Sequence, residues 1–322
     1  MGIISNCTAS VIKDAASALI SGNLVAFPTE TVYGLGANAI NKDAIARIYQ
    51  VKGRPTDHPL IVHISSIENV DKWARDIPEY AIKLARSFWP GPMTLILPRT
   101  DRAKDFITGG QDNVGIRVPS HTVAQALLKE FEAQGGLGVA APSANRYGAV
   151  SPTTAIAVEI ELGSYLSKSD LILDGGPSIV GVESTIINCT SNTPSILRPG
   201  GITQGMIEQI LGNAIGIESK NLQVNKIKAP GLMESHYAPK ANLFLNGEPS
   251  EGDGLIALVN INTPEGVQRL ASPINNEQFA QQLYSALRDG DNKKIQNVYV
   301  VPPSGDDIAV AINDRLNRAS KR

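Results

Sequence analysis

Lys52-Gly53-Arg54 sets two cations one residue apart with a glycine between them. Lysine offers a point charge and arginine a planar fork, a pairing that suits a polyphosphate. The tripeptide also ends a helical pattern, and cations there stabilise the helix dipole, so locally the two readings stand level. Ser143-Ala144-Asn145 places a hydroxyl and an amide one residue apart, both able to bond phosphate or carbonyl oxygens. Arg117 interrupts an apolar run, where a guanidinium needs either a bound anion or a structural salt bridge. Arg198 adds one more cation beside Pro199-Gly200. Thr29-Glu30-Thr31 offers two hydroxyls and a carboxylate, followed by Gly34 and Gly36, which permit tight or positive-φ backbone. Taken alone, that stretch is a turn between strand and helix. His58 and His63 follow the basic pair; on strand pattern alone His63 is a satisfied core residue. Ser151-Pro152 has the pattern of a helix N-cap followed by a first-turn proline. Ser184 opens a strand-like run.

Several chemistries are excluded. The chain has no Gly-Lys-Ser/Thr phosphate loop, no HExxH and no GxSxG elbow. Gly136 to Ala141 has loose dinucleotide spacing, but it follows a helix and opens a strand, which is the wrong context. No carboxylate cluster advertises a protein-held metal. Two cysteines, Cys7 and Cys189, lie far apart, which excludes a cysteine-rich zinc site or a disulfide framework and suits a reducing cytoplasm. A formal net charge of -2 argues against long-duplex binding, and 5% aromatic content against stacking platforms for single strands. No signal peptide is expected from Met1 to Ser10, and no apolar run is long enough to cross a bilayer.

These side chains need a scaffold. With 322 residues and 42% hydrophobic content, the chain can bury a substantial core and predicts two unequal domains. Thr8 to Ser21 has helical periodicity, and Asn41 is placed to cap a second helix carrying Ala44, Ile45, Ile48 and Tyr49. Strands are expected at 24–27, 60–64, 94–97, 114–118, 137–141, 171–173 and 184–187, and helices at 79–88, 122–133, 153–162 and 203–211. Strands and helices mix without regular crossovers, which predicts an α/β fold with a twisted, open, mixed sheet. The polar stretch 212–242, broken by Pro230-Gly231 and Pro239, is expected to be a linker or lid. A small α/β domain is expected over 243–322, with strands at 242–245, 255–259 and 298–301 and helices at 279–287 and 308–316.

The ordered motifs PTETVYGLG, KGRPTDHPL, FWPGPMT, GIRVPSH, APSANRYGAVSPT, GVESTI and LRPG resemble the YrdC-like family of threonylcarbamoyl-AMP synthases, over roughly residues 8–211. Each motif alone is weak; their order is specific. His236 to Pro239, HYAP, and the segment after it resemble the two-domain form, whose small domain is Rossmann-like. Met93 departs from the usual Leu, and Leu232 to Ser235 departs from a stretch that is often basic. The resemblance implies a YrdC-like catalytic domain over 1–211 that joins L-threonine, bicarbonate or CO2 and ATP into threonylcarbamoyl-AMP and pyrophosphate. A downstream threonylcarbamoyl transferase complex then modifies the adenosine beside the anticodon of tRNA. It implies that Lys52, Arg54, Ser143 and Asn145 hold the ATP phosphates. His58, Arg117, Ser151 and Arg198 would also contact ATP, with Tyr237 closing over it. Thr31, His63, His121, Ala141 (through its backbone) and Ser184 would hold threonine. Lys52 and Arg54 would carry the chemistry, with Mg2+ arriving on the triphosphate.

Two readings compete. An RNA-binding or ribosome-assembly factor could use the same cations for RNA phosphates, and direct tRNA contact stays open. A hydrogenase-maturation carbamoyl-transfer module shares the YrdC-like domain, but its zinc-finger segments are excluded by the cysteine count.

Overall fold

The computed structural model describes residues 3–217, 227, 229–230 and 237–321. Leu232 to Ser235 and His236 of the expected linker lie outside these residues. The first part contains β1 (Ile3–Asn6), α1 (Ala9–Ile20), β2 (Val25–Phe27), β3 (Gly34–Asn38), α2 (Lys42–Lys52), β4 (Ile61–His63), α3 (Glu79–Phe88), β5 (Met93–Pro98), α4 (Asp105–Thr108) and β6 (Asn113–Arg117). It continues with α5 (Thr122–Ala133), β7 (Val139–Ala140), α6 (Ala155–Leu162), β8 (Leu171–Asp174), β9 (Thr185–Asn188), β10 (Ser195–Arg198), α7 (Gln204–Leu211) and β11 (Gly216–Ile217). Among the described residues these strands form an 11-stranded sheet in the order β1-β8-β2-β3-β7-β4-β6-β5-β9-β10-β11. The sheet is mixed, as expected: β4 and β6 run parallel, while β4 with β7 and β5 with β6 run antiparallel.

Local chemistry sets the helix ends. The Asn41 side chain accepts from the backbone N–H groups of Asp43 and Ala44, each at 3.1 Å, and starts α2 as its sequence predicts. Gly53 ends α2 with φ 62°, a left-handed cap that turns Arg54 away from the helix axis. α6 is not capped by Ser151. Its N-cap is Thr154, and Ser151 is drawn away by a buried carboxylate described below. Strand alternation divides the core. Val25 and Phe27 face α1 and α5, whereas Leu24 and Ala26 face the cluster carried by α2, α3 and α6.

The stretch after Phe27 differs from the turn that leads to a helix. Gly34–Asn38 returns as β3, antiparallel to β2, with Phe27 opposite Gly34. Gly36 is needed there for close approach rather than for positive φ. A Cβ at Gly36 would sit 2.8 Å from Val139 Cγ1 and 2.9 Å from Phe27 Cε1.

The second part contains β12 (Asn242–Phe244), β13 (Gly254–Ile256), β14 (Gln268–Ala271), α8 (Asn276–Asn292), β15 (Asn297–Val300) and α9 (Ala309–Ala319). Its four strands pair in parallel in the order β12-β15-β13-β14. That is the small α/β unit expected, with β14 added. Its apolar cluster includes Val32, Val150 and Val182 from the first part together with Phe279, Ile312 and Leu316, so the two parts share one core.

Gly36→Ala should overpack this contact and destabilise the protein by about 1–3 kcal/mol. Denaturant midpoints check this; an unchanged midpoint would mean that the β2–β3–β7 contact is looser than described.

Candidate active site

One face of the large sheet carries a cleft with about 540 Å3 of empty space, part of which is open solvent. Directly paired residues share a sheet face, so register decides its floor. Ile61 pairs with Gly115 and His63 with Arg117 across β4 and β6. Ala141 and Ser143 follow β7, and Ser143 bridges to Gly34. Gly34 and Ala141 carry little or no side chain, which leaves room above them.

The walls are cationic. Arg54, Arg117 and Arg198 line the cavity, each at most 8% exposed. Arg54 reaches the carbonyl of Pro59 at 3.0 Å, while its Nε has no partner among the described residues. Arg117 donates to Glu30 Oε1 at 2.5 Å and to Thr31 Oγ1 at 2.9 Å, so the salt-bridge reading of this arginine holds. Arg117 Nε is also without a partner among the described residues. Arg198 donates to the Ser184 carbonyl from Nε at 3.2 Å and from one terminal nitrogen at 2.9 Å. Its other terminal nitrogen donates to the carbonyl of Pro230 at 2.8 Å, which pins that linker residue at the rim.

The hydroxyls are held by one another. Thr31 Oγ1 lies 2.8 Å from Thr29 Oγ1, and Ser184 Oγ lies 2.8 Å from Thr94 Oγ1. His63 lies on the floor, with Nδ1 3.2 Å from the Ile61 carbonyl and its ring edge-on to Phe27. Burial, reinforced by Arg117, lowers its pKa to about 3. Tyr237 closes the cavity from the linker side with φ 66° and is stacked on Tyr284.

Other expected site residues stand behind the walls. Lys52 is buried, and its Nζ donates to the carbonyls of Ser143, at 2.7 Å, and Asn145. Burial and the nearby Arg54 push its pKa well below the usual lysine value. Asn145 Nδ2 donates to the carbonyls of Arg146 at 2.7 Å and Ala149 at 2.9 Å. Lys52 and Asn145 therefore fix the loop that presents Ser143. His58 sits edge-on to Tyr147, outside the cavity lining. His121 caps α5, its Nδ1 accepting from Val123 N at 3.2 Å, and faces the Glu30 side of the wall. Ser151 donates to Glu183 Oε1 at 2.7 Å.

Glu30 and Glu183 are the residues whose importance the motifs did not reveal. Each is a carboxylate beside a cavity hydroxyl, and each is held by an arginine distant in sequence. Arg315 has a sequence signal: it follows Ile308 and Ile312 at helical spacing, on the apolar stripe of α9.

This fold and cavity define a two-domain, YrdC-like α/β protein with a cationic pocket on its large sheet, bounded by Pro230 and Tyr237 of the connecting segment. A family model, Sua5_yciO_yrdC, described as "Telomere recombination", matches residues 17–200. A second, described as "Threonylcarbamoyl-AMP synthase, C-terminal domain", matches residues 202–321. The threonylcarbamoyl-AMP synthase of Pyrococcus abyssi is 39% identical, over 96% of this chain and 94% of its own. That of Bacillus subtilis is 39% identical, over 96% of this chain and 92% of its own. The crystal structure of P. abyssi Sua5 complexed with L-threonine superposes with a TM-score of 0.89 at 37% identity, covering 99% of this chain and 97% of that one. The chain belongs to the Sua5/YciO/YrdC family, in the two-domain form of the threonylcarbamoyl-AMP synthases. It is thereby an enzyme of the nucleotidyltransferase class. No described helix is long and apolar enough to cross a membrane.

The His63 pKa has a consequence for stability. The unfolded chain takes up this proton near pH 6.5 and the folded one only near 3, so acid favours unfolding between those values. The stability carried by the neutral ring is complete above about 6.5 and falls with pH, by about 2 kcal/mol at pH 5. His63→Gln should therefore lose less stability than the native chain between pH 7 and 5. Parallel denaturation curves for both proteins across that range would show that the ring titrates normally.

Proposed function

We propose that this cavity joins L-threonine, bicarbonate or CO2 and ATP into threonylcarbamoyl-AMP, and that three buried arginines facing one pocket are the observation that carries the reading. Polyanionic ATP would complete the bonding of Arg54 and Arg117, whose Nε atoms lack partners among the described residues. Threonine is assigned to the Thr31, His63, Ala141 and Ser184 side, supported by the relative whose structure is described as complexed with L-threonine. We keep His121 with that side as support for the Glu30 wall. Lys52, Asn145 and Ser151 serve the ATP side by holding its lining, with His58 beside them against Tyr147, while Arg198 and Tyr237 bound the nucleotide.

In the reaction the threonine amine, unprotonated, adds to CO2 and loses a proton to give a carbamate. A carbamate oxygen attacks the α-phosphorus, the bond to the bridging oxygen breaks, and pyrophosphate leaves with the electron pair. Arg54 and the loop held by Lys52 are placed to stabilise the charge that grows on the leaving group. No side chain is assigned as covalent nucleophile; positioning and electrostatics supply the rate.

The residues do not fit a protein-held magnesium. Glu183 of the cavity lining is taken up by Arg315 and the neighbouring Glu30 by Arg117, and no group of three metal-ligating side chains occurs among the described residues. Magnesium enters as part of the substrate, on the triphosphate. We further propose cytoplasmic location, product hand-over to a threonylcarbamoyl transferase complex for tRNA modification, and a division into 1–211, 212–242 and 243–322. β11, at Gly216–Ile217, extends the large sheet into the segment named as linker.

Incubation with ATP, bicarbonate and L-threonine should yield a threonylcarbamoyl-adenylate mass that vanishes without threonine. Arg54→Ala should lower turnover by about 100-fold or more without unfolding the protein. Lys52→Ala should lower both turnover and stability, because it strands two buried carbonyls at about 1–3 kcal/mol each. Threonine-independent ATP consumption, or normal turnover in Arg54→Ala, would refute the assignment.

A further inference from the structure

Glu183, Tyr284 and Arg315 meet at one buried point between the two parts of the chain. Glu183 precedes Ser184 of the cavity. Its carboxylate accepts from Ser151 Oγ at 2.7 Å, from Tyr284 OH at 2.9 Å and from Arg315 Nε at 2.7 Å. Arg315 is 0% exposed. One terminal nitrogen is held by Asp314 at 2.6 Å and the other donates to the carbonyl of Pro199 at 2.9 Å. Pro199 follows Arg198, and Arg198 bonds back to the Ser184 carbonyl and hydroxyl. The bonds therefore close a ring: Ser184, Arg198, Pro199, Arg315, Glu183 and back to Ser184. From the small domain, α9 closes it through Arg315. The Arg315 guanidinium also lies 5.3 Å from the Tyr237 ring centre, and Tyr284 stacks on the same ring at 5.8 Å.

We propose that the Arg315–Glu183 pair is a positioning device through which the C-terminal domain sets the Ser184–Arg198 wall and Tyr237 for threonine and nucleotide. The inference rests on the proposed reaction and assigns the small domain a part in it. Adhesion alone does not require these charges. Val32, Val150 and Val182 already share an apolar cluster with Phe279, Ala280 and Ile312, and a buried ion pair can be exchanged for apolar groups of like volume with little loss of stability. What an apolar replacement cannot do is hold a carboxylate and a carbonyl at fixed positions from one planar group.

The test uses the full chain with Glu183→Gln, Arg315→Met, Arg315→Lys and the double variant E183Q/R315M. Each single variant leaves one partner stranded and can lose stability. The double variant removes both charges, but it also gives up the bonds of Arg315 to Asp314 and Pro199, so it is expected to melt below the native chain and yet stay folded at the assay temperature. Its KM for L-threonine should nevertheless rise about tenfold to a hundredfold, with weaker threonine binding by calorimetry, because the wall is displaced while the bulk fold persists. Arg315→Lys should fail to restore KM, since one nitrogen cannot serve Glu183 and Pro199 together. A double variant that is folded at the assay temperature and has native KM would overturn the inference and leave the reaction standing. A native chain without threonine-dependent turnover would overturn both.

Discussion

Taking a cation out of water is costly unless something replaces its hydration, and this cavity does so repeatedly. Lys52, Arg54, Arg117 and Arg198 are all buried in or behind its walls. Three of them are met mainly by backbone carbonyls: Lys52 by the Ser143–Asn145 loop, Arg54 by Pro59, and Arg198 by Ser184 and Pro230. Arg117 is met by Glu30. Glu183 is shared with Arg315, a fifth buried cation from the C-terminal helix. The local balance is thus positive within a chain of net charge -2. Such a pocket favours a polyanion because the cations are already dehydrated and fixed, so little reorganisation remains when phosphate arrives.

The mixed sheet is what allows these groups to converge. A purely parallel sheet would gather functional loops at the strand ends. Here β7 runs against both β3 and β4, and its exit continues past Gly34 to bring Ser143 to the cavity. Ile61 and His63 project onto that face with Arg117, and Gly34 lines it without a side chain. The close β2–β3 pairing, permitted by Gly36, brings Thr29 and Thr31 to the same place. Site and fold therefore depend on the same small residues.

Much of this was legible in the chain. The α3 and α5 limits agree with their periodicity because both helices carry a clear apolar stripe. The motif order identified the cavity-lining set Thr31, Arg54, His63, Arg117, Ala141, Ser143, Ser184, Arg198 and Tyr237. What escaped was non-local. β1 and β10 are short, and their partners lie far along the chain or across a bulge. β14 carries the polar pair Gln268-Arg269, which masks its strand pattern. Ser151 had the local pattern of a cap, but a buried carboxylate 32 residues away claims its hydroxyl. The Lys52-Gly53-Arg54 spacing left a shared phosphate grip and a helix-end cation pair level. The left-handed turn at Gly53 separates the two cations, sending Lys52 into the protein and Arg54 into the pocket.

That separation clarifies how one tripeptide combines the two readings that stood level in the sequence. Lys52 is a last-turn cation of α2, yet its ammonium bonds carbonyls of another loop, so it is not merely a dipole partner. Its charge is dehydrated by burial and opposed by Arg54, which lowers its affinity for a proton. An anion in the cavity would act in the opposite direction, favouring the charged lysine and tightening its hold on the Ser143 loop. Ligand binding and loop order would then reinforce each other through one ammonium group.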